Sequence, residues 1–490
     1  MLMNSSCRYD PSVQVILGIP FNNVTFSEAV EWARQRIVTH KPGYITTANW
    51  DFLRLAWNDP ELQRILIDAD LVVADGIPIV WMSRLFGKPL KERVTGSDLV
   101  PLLAEMAARE RHSLFLLGGA PGVGEKAAAA LTRRFPRLRI AGHYSPPLAD
   151  ILGMDHTAIL SRIEEANPDI LLIAFGAPKQ EKFANLHVRS WKVPVSIGVG
   201  GTLDFLAGTQ TRAPKFVQRL ALEWLWRLMT APRRLTKRYV AGFAFLITVC
   251  RRLLSIRMTP NHKAPPDPEA VPPADQFPDV LWLSYAELKG QDPAALFSSG
   301  NTHSLVLDLR GVYWLSSTEL GGLLQVARNC RLHDRRLILC HASARVDRLL
   351  KSCLLTEYLD LTATIADTRV LLGQLSPGVM KGRVYRDEDN HMIFQTPREL
   401  TAVTVDAFKA EAAALVSYTP KCQAWIVDLQ HTRFVDSAGL GLFVAWHTKA
   451  ALADIPFEIR NAQKAVEQTF RIARLNAWLK PSTGDSGAPA

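Results

Sequence analysis

The sequence predicts an α/β protein built on a mainly parallel sheet, followed by a basic helical appendage and two further small α/β domains. Three observations predict it. Short apolar runs, "GYITTAN", "LVVADG", "SLFLLGG", "DILLIAFG" and "PVSIGVGG", alternate with amphipathic stretches between about Ile16 and Arg212. Cations crowd residues 213–257, and a segment near residue 304 returns near residue 424.

Each apolar run of the first region ends in Gly, Asp or Asn and leads into a helix-like stretch, the mark of repeated βα units in a Rossmann-like sheet. We bound this core at residues 1–212. Residues 213–257 carry ten cations against one acid, Glu223, and so hold most of the net charge of +10. Such a basic patch could serve nucleic acid, a phosphorylated ligand or an anionic membrane surface, and its interleaving with Trp224, Trp226 and the run "VAGFAFLITVC" suits an interface better than a DNA groove. That run is about a dozen residues, short of the roughly 20 needed to span a bilayer. It is therefore expected to lie on a membrane or pack in a core. A Pro-rich linker follows at 258–278.

Beyond it, "SLVLDLRGVYWLSSTELGGLLQVARNCRLHDRRLILCHA" and "AWIVDLQHTRFVDSAGLGLFVAWHTKAALADIPFEIRNA" repeat one order of strand, turn, hydroxyl cluster, helix and strand. Two copies of one module follow, at 279–376 and 377–482, with a disordered tail at 483–490. Hydrophobic residues make up 48% of the 490 and charged residues 21%, excluding a disordered chain and a polytopic membrane protein. The six cysteines form no CxxC pair, and the start lacks the order of a secretory signal, so a reducing cytoplasm is expected.

Chemistry is expected where parallel strands end. "TTANWDF" places Thr46, Thr47 and Asn49 at one strand tip, "VVADG" places Asp75 at another, and "AFGAPKQEKF" places Gln180 and Glu181 after a Gly-Pro turn. A carboxylate among neutral hydrogen-bonding groups can hold sugar hydroxyls and act as a base. Asp-Gly is also an ordinary turn pair, and Asp75 taken alone fits a turn. "LLGGAPGVGEKAAAAL" offers Gly118 and Gly119 before a helix, a place for a diphosphate or simply a tight turn. Asp204 in "GVGGTLDFLAG" reads as structural. The "DAD" at 68–70 precedes its strand and reads as a solvated helix end, so no metal is expected.

These motifs together resemble the WecG/TagA/CpsF family of bacterial glycosyltransferases over about residues 14–235: Thr47 and Asn49 in "TxN", Asp75-Gly76, Arg93 and Gly96 in "ERVTGSD", "LLGG", "GAPKQE", "GVGGTLDFLAG" and "RAP…LEWLWRL…PRR". The resemblance implies a metal-independent, inverting hexosyl transfer from a UDP-sugar, of N-acetylmannosamine type or another hexose. The acceptor would be a polyprenyl-diphosphate-linked saccharide in exopolysaccharide or cell-envelope glycan assembly. It implies Asp75 as general base, with Thr47, Asn49, Arg93, Gln180, Gly118, Gly119 and Gly176 around the substrates and no cofactor. Arg227, Arg233 and Arg234 would meet phosphates, and Trp224 and Trp226 would anchor the appendage to the inner face of the cell membrane, making the protein cytoplasmic and peripheral.

The doubled module resembles STAS domains, in which a D-S-[ST]-G turn holds a phosphorylatable hydroxyl. The second copy keeps Asp436 and Ser437, with Ala438 where a second hydroxyl would stand; the first has Ser316, Ser317, Thr318 and Glu319. Ser437 is the candidate phosphosite, while "SSTE" and Asp436 also fit helix caps. Either way the modules are expected to dock or regulate, with a protein partner. The alternative to an enzyme is a non-catalytic signalling scaffold whose degenerate transferase domain recruits partners through paired STAS domains. Retention of Thr47, Asn49, Asp75, Arg93 and Gln180 favours the enzyme, and no groove-reading motif points to nucleic acid.

Overall fold

The structure is a computed structural model that describes residues 13–85, 89–214, 217, 223–230, 232–259, 279–289, 304–333, 335–374, 381–416 and 422–478. All but the first two residues of the Pro-rich linker, the whole tail and Cys7 lie outside these. The chain forms two compact units, one holding most of residues 13–366 and the other residues 367 onward.

The first unit begins with a hairpin, β1 (Val13–Ile16) and β2 (Ile19–Asn22), closed by Leu17 and Gly18, both at positive φ, as a two-residue turn with right-handed strand twist requires. Six parallel strands follow: β3 (Gly43–Ala48), β4 (Leu71–Ala74), β5 (Ser113–Gly118), β6 (Arg139–Tyr144), β7 (Ile170–Ala174) and β8 (Val195–Gly198). Their order is β4-β3-β8-β7-β5-β6, and every pair is parallel. Strands β3, β4, β5 and β8 are buried along their whole length, which is why they read as continuous apolar runs; the edge strand β6 is not.

The crossover helices are α1 (Phe26–Thr39), α2 (Trp50–Ala56), α3 (Pro60–Asp68), α4 (Ile77–Leu85), α5 (Gly96–Glu110), α6 (Val123–Arg134), α7 (His156–Ala166), α8 (Lys179–His187) and α9 (Thr202–Leu206). One apolar core joins α1, α5, α6 and α9 to the sheet, and a second joins α7 and α8 to it. Helix starts are written in the sequence: Thr25 and Glu28 form a capping box on α1, and Thr95 caps α5.

The appendage forms α10 (Glu223–Thr230) and α11 (Pro232–Met258). The segment is helical as expected, and the dozen-residue apolar run is the middle of a 27-residue helix. Residues 236–258 of it are long and apolar enough to cross a membrane by length and composition alone. The difference arises because the flanking Lys and Arg residues continue the same helix. One stripe, Phe245, Val249 and Ile256, is buried against the first unit's core, and Phe245 sits between Trp50 and Trp57 at ring distances of 5.0 and 5.4 Å.

The same unit holds the first repeat copy: β9 (Val280–Ser284), α12 (Tyr285–Lys289), β10 (Ser304–Asp308), α13 (Ser317–Leu332), β11 (Arg336–Cys340), α14 (Ala344–Ser352) and β12 (Asp360–Thr362), with all four strands parallel in the order β12-β11-β10-β9. Helix α15 (Ile365–Gln374) follows. The second unit is a mixed sheet, β13 (Arg383–Arg386), β14 (Met392–Gln395), β16 (Trp425–Asp428) and β18 (Phe457–Arg460), beside a short pair, β15 (Glu399–Leu400) and β17 (Phe434–Val435). Its helices are α16 (Val405–Val416), α17 (Ser437–Leu452) and α18 (Lys464–Ile472). Helices α13 and α17 are each 16 residues long and follow equivalent strands, so the repeat read from sequence is a repeat of structure.

Both expected caps form. Ser316 and Glu319 make a capping box on α13, and the Asp436 carboxylate accepts from the Ala438 and Gly439 amides at the start of α17. The described cysteines are all free.

Candidate active site

Parallel pairing fixes where the first domain can do chemistry. Strands β4, β3, β8, β7 and β5 are neighbours, so the loops leaving Ala74, Ala48, Gly198, Ala174 and Gly118 open on one carboxyl edge. This is the edge where open α/β sheets bind ligands.

Asp75 extends the β3–β4 pairing by one step, its amide donating to the Ala48 carbonyl at 2.9 Å. Its half-buried side chain therefore starts at the rim, directly beside the Asn49 turn. Asn49 caps α2, its Oδ1 accepting from the Asp51 and Phe52 amides at 3.0 and 3.3 Å, which fixes the side chain. Thr47 is buried one step deeper and donates to the Gly198 carbonyl at 3.2 Å, tying β3 to β8. Gly96 closes over Thr47: a Cβ there would stand 3.3 Å from the Thr47 hydroxyl.

Charge gathers on the side facing the appendage. Arg212 makes a two-armed pair with Asp98, both contacts 2.7 Å, and Arg93 lies 3.6 Å from Glu223 of α10. The Arg212 hydrogen bond holds the Asp98 carboxyl below its ordinary range against the opposing effect of burial. Asp98, Glu223 and Asp75 all act on the Arg212 charge, so Asp75 belongs to this cluster. Sequence reasoning gave no role to Arg212 or Asp98. The signal was present in "TGSD", a Thr cap three residues before an acid, and in "RAP".

Gln180 and Glu181 form the floor. Gln180 Oε1 accepts from the amides of Gly176 and Gly200 at 3.2 and 3.1 Å, lashing together the turns after β7 and β8. Its Nε2 donates to Glu181 Oε1 at 2.8 Å, and Tyr44 Oη donates to that same oxygen at 3.2 Å. Gln180 is 2% exposed and Glu181 fully buried, so both act from beneath the rim. Burial pushes the Glu181 carboxyl up to about 7, and burial beside this acid pushes the Tyr44 phenol well up. Gly198 passes over the trio: a Cβ there would meet Tyr44 Oη at 2.5 Å and Gln180 Nε2 at 2.6 Å.

Gly118 and Gly119 take positive φ at the end of β5, and the Gly119 amide is committed to the Ala174 carbonyl at 3.1 Å. The Gly122 cap of α6 offers no side chain. A Cβ on Gly118 would stand 2.8 Å from the Ala174 carbonyl oxygen at φ +99°. Gly118→Ala is therefore expected to cost roughly 2–5 kcal/mol through combined backbone strain and overpacking. Urea unfolding checks this; a midpoint within error of the wild type would contradict it.

Asp204 accepts from Thr209 at 3.1 Å within its own turn, in keeping with a structural role. The acids of "DAD" are not solvated as expected. Asp68 accepts from Tyr358 at 2.6 Å, and Asp70 accepts from the Tyr44 amide at 2.9 Å and from Arg328 at 2.7 Å. The sequence places them at a helix end, but a distant segment covers them. Trp226 is half-buried on α10; the side chains of Trp224, Arg227, Arg233 and Arg234 lie outside the described residues. Ser437 opens α17 and is 3% exposed.

Residues 14–259 match the model of the glycosyl transferase WecG/TagA/CpsF family, and residues 276–368 and 383–485 match that of the STAS domain. The N-acetylglucosaminyldiphosphoundecaprenol N-acetyl-beta-D-mannosaminyltransferase of Bacillus spizizenii is 33% identical to this chain over 221 residues, which is 44% of the chain and 84% of the relative. The protein of the same name from Bacillus subtilis is 30% identical over 239 residues, 49% of the chain and 91% of the relative. That from Staphylococcus aureus strain MRSA252 is 29% identical over 240 residues, 48% and 92%.

Proposed function

Because the chain belongs to the WecG/TagA/CpsF family of glycosyltransferases and continues into two STAS domains, we propose that it moves a sugar of N-acetylmannosamine type from a UDP-sugar to a polyprenyl-diphosphate-linked saccharide. The transfer inverts the anomeric centre and serves exopolysaccharide or cell-envelope glycan assembly.

One observation carries the reading: Asp75 sits at the rim of the sheet, fixed by β-pairing beside Asn49 and within the field of Arg212. A sugar hydroxyl is a weak nucleophile, and a positioned carboxylate that takes its proton in the transition state supplies the missing reactivity. Asn49 and Arg93 orient the reacting groups, while Thr47, Gln180 and Gly176 hold the turns that form the floor. The departing nucleotide diphosphate needs positive charge. The described cluster supplies two guanidinium groups against three carboxylates, Asp75, Asp98 and Glu223. We therefore assign the diphosphates of donor and acceptor to Arg227, Arg233 and Arg234 of the appendage, and no metal is required.

The lipid acceptor puts the enzyme on the inner face of the cell membrane as a peripheral protein. Supporting this, α11 carries two apolar stripes on opposite sides at roughly 100° per residue. Phe245, Val249 and Ile256 are buried, whereas Val240, Phe243, Ile247, Leu254 and Met258 are exposed, with Lys237 and Arg251 near them. Such a face suits an anionic lipid surface, with Trp224 and Trp226 as anchors.

The test is UDP release from a panel of UDP-hexoses with a polyprenyl-diphosphate-linked N-acetylglucosamine acceptor. Acceptor-dependent release with an N-acetylmannosamine donor is expected. Release with none of the donors, from folded protein, would contradict the proposal.

A further inference from the structure

We propose that the first STAS domain is bound by its own transferase domain: the start of its α13 is an in-chain interface that grips the β1–β2 hairpin, and the end of its α14 meets the appendage helix α11. This goes beyond sugar transfer and does not depend on it.

The hairpin is built for this contact. Its tip residue Gly18 stands at φ +86°, and a Cβ there would lie 2.2 Å from the carbonyl oxygen of Cys353, just past α14. That carbonyl is held by Gln63 of α3 at 3.0 Å. Along the edge of β1, Ser317 Oγ donates to the Val15 carbonyl at 2.9 Å. One turn on, Gly321 lets the helix approach so closely that a Cβ would stand 3.0 Å from the Val13 carbonyl. An exposed strand edge invites pairing with other chains, and here a helix covers it. Gly18, Gly321 and Ser317, the last a residue of the degenerate switch turn, are thus points of close contact.

The electrostatics agree. Arg328 of α13 reaches Asp70 at 2.7 Å, and Tyr358 reaches Asp68 at 2.6 Å with Arg331 stacked 3.4 Å over its ring. These groups are three-quarters buried or thereabouts, where such pairs are worth more than on an open surface. Beneath them one apolar core runs without a break from Ile16, Phe21 and Leu62 to Leu320, Leu324 and Leu350. Helix α11 enters the same core. Its Arg252 lies 4.5 Å over Trp57, and Gly242 accepts from Trp50 Nε1 at 3.0 Å, directly after the Asn49 cap. On the STAS side Arg252 also donates to the carbonyl of Ser352, the last residue of α14, at 3.5 Å, so the first STAS domain abuts the helix that carries the exposed apolar stripe, and another protein can take its α13 face only by displacing the transferase.

The test inserts a protease site between residues 262 and 275 of the full chain, cleaves it, and follows the two pieces by size-exclusion chromatography at micromolar concentration and in 0.5 M salt, about three times physiological ionic strength. The pieces are expected to elute together, and Gly321→Leu with Arg328→Ala should separate them. Should that pair fail to fold, Tyr358→Phe with Asp68→Asn, which removes one hydroxyl and one charge, should raise the dissociation rate about tenfold. Wild-type pieces that part at once, or variants that hold together as tightly as wild type, would overturn the proposal. Since the readout is elution and not turnover, its failure is distinct from failure of the catalytic reading.

Discussion

Asp75→Asn is expected to lower kcat by ~100- to 10,000-fold, the range a general base typically contributes, with little change in the KM for the nucleotide sugar. The amide keeps the size and hydrogen-bonding reach of the carboxylate but cannot accept the acceptor's proton. The fold should be kept, because the Asp75 backbone amide that joins β4 to β3 at this point is unchanged in the variant. Circular dichroism and unfolding alongside steady-state kinetics separate the two effects. A variant that is fully folded and turns over at the wild-type rate would remove Asp75 from the mechanism. Equal kcat and KM losses with an altered unfolding midpoint would mean that the residue is structural.

The second large effect is on stability, and it falls on Glu181. Its carboxyl is raised from 4.5 to about 7 in the folded protein, chiefly by burial, with the Gln180 and Tyr44 hydrogen bonds working the other way. The sign follows from linkage: the folded state holds this proton more tightly than the unfolded chain does. The stabilisation is present in full below about pH 4.5 and is lost as pH rises through about 7, where the buried group must ionise. A shift of this size corresponds to ~3 kcal/mol across that window. Glu181→Gln keeps an acceptor for both donors without the charge, so it should flatten this part of the stability profile and exceed the wild type above pH 7. Parallel profiles for the two proteins between pH 4.5 and 8 would contradict the assignment.

These two acids show what a sequence discloses and what it withholds. Asp75 was legible because it interrupts an apolar run at a strand end, and local pattern carries that information. Glu181 was named only as the neighbour of Gln180, since a Glu in the first turn of a helix is ordinary until it is buried beneath a tyrosine. The βα alternation, the duplicated module and the Ser316–Glu319 cap were legible for the same local reason.

What stayed hidden is long-range. Asp70 and Asp68 looked like solvent-facing acids because their partners, Arg328 and Tyr358, lie 258 and 290 residues further on. Arg212 and Asp98 are 114 residues apart. Nothing in the local pattern of either segment signals the other. The helical appendage was legible, but the apolar stretch of α11 extends beyond the dozen residues of "VAGFAFLITVC", because residues on either side of its flanking cations continue the same helix.

The most direct measurement of the central claim is a crystal structure with UDP bound. The account predicts the diphosphate above the carboxyl ends of β3, β4 and β8, close enough to Asp75 for a transferred sugar to lie between them and within reach of appendage arginines. UDP bound away from that edge, or an Asp75 side chain turned into packed protein with no path to the diphosphate, would contradict it.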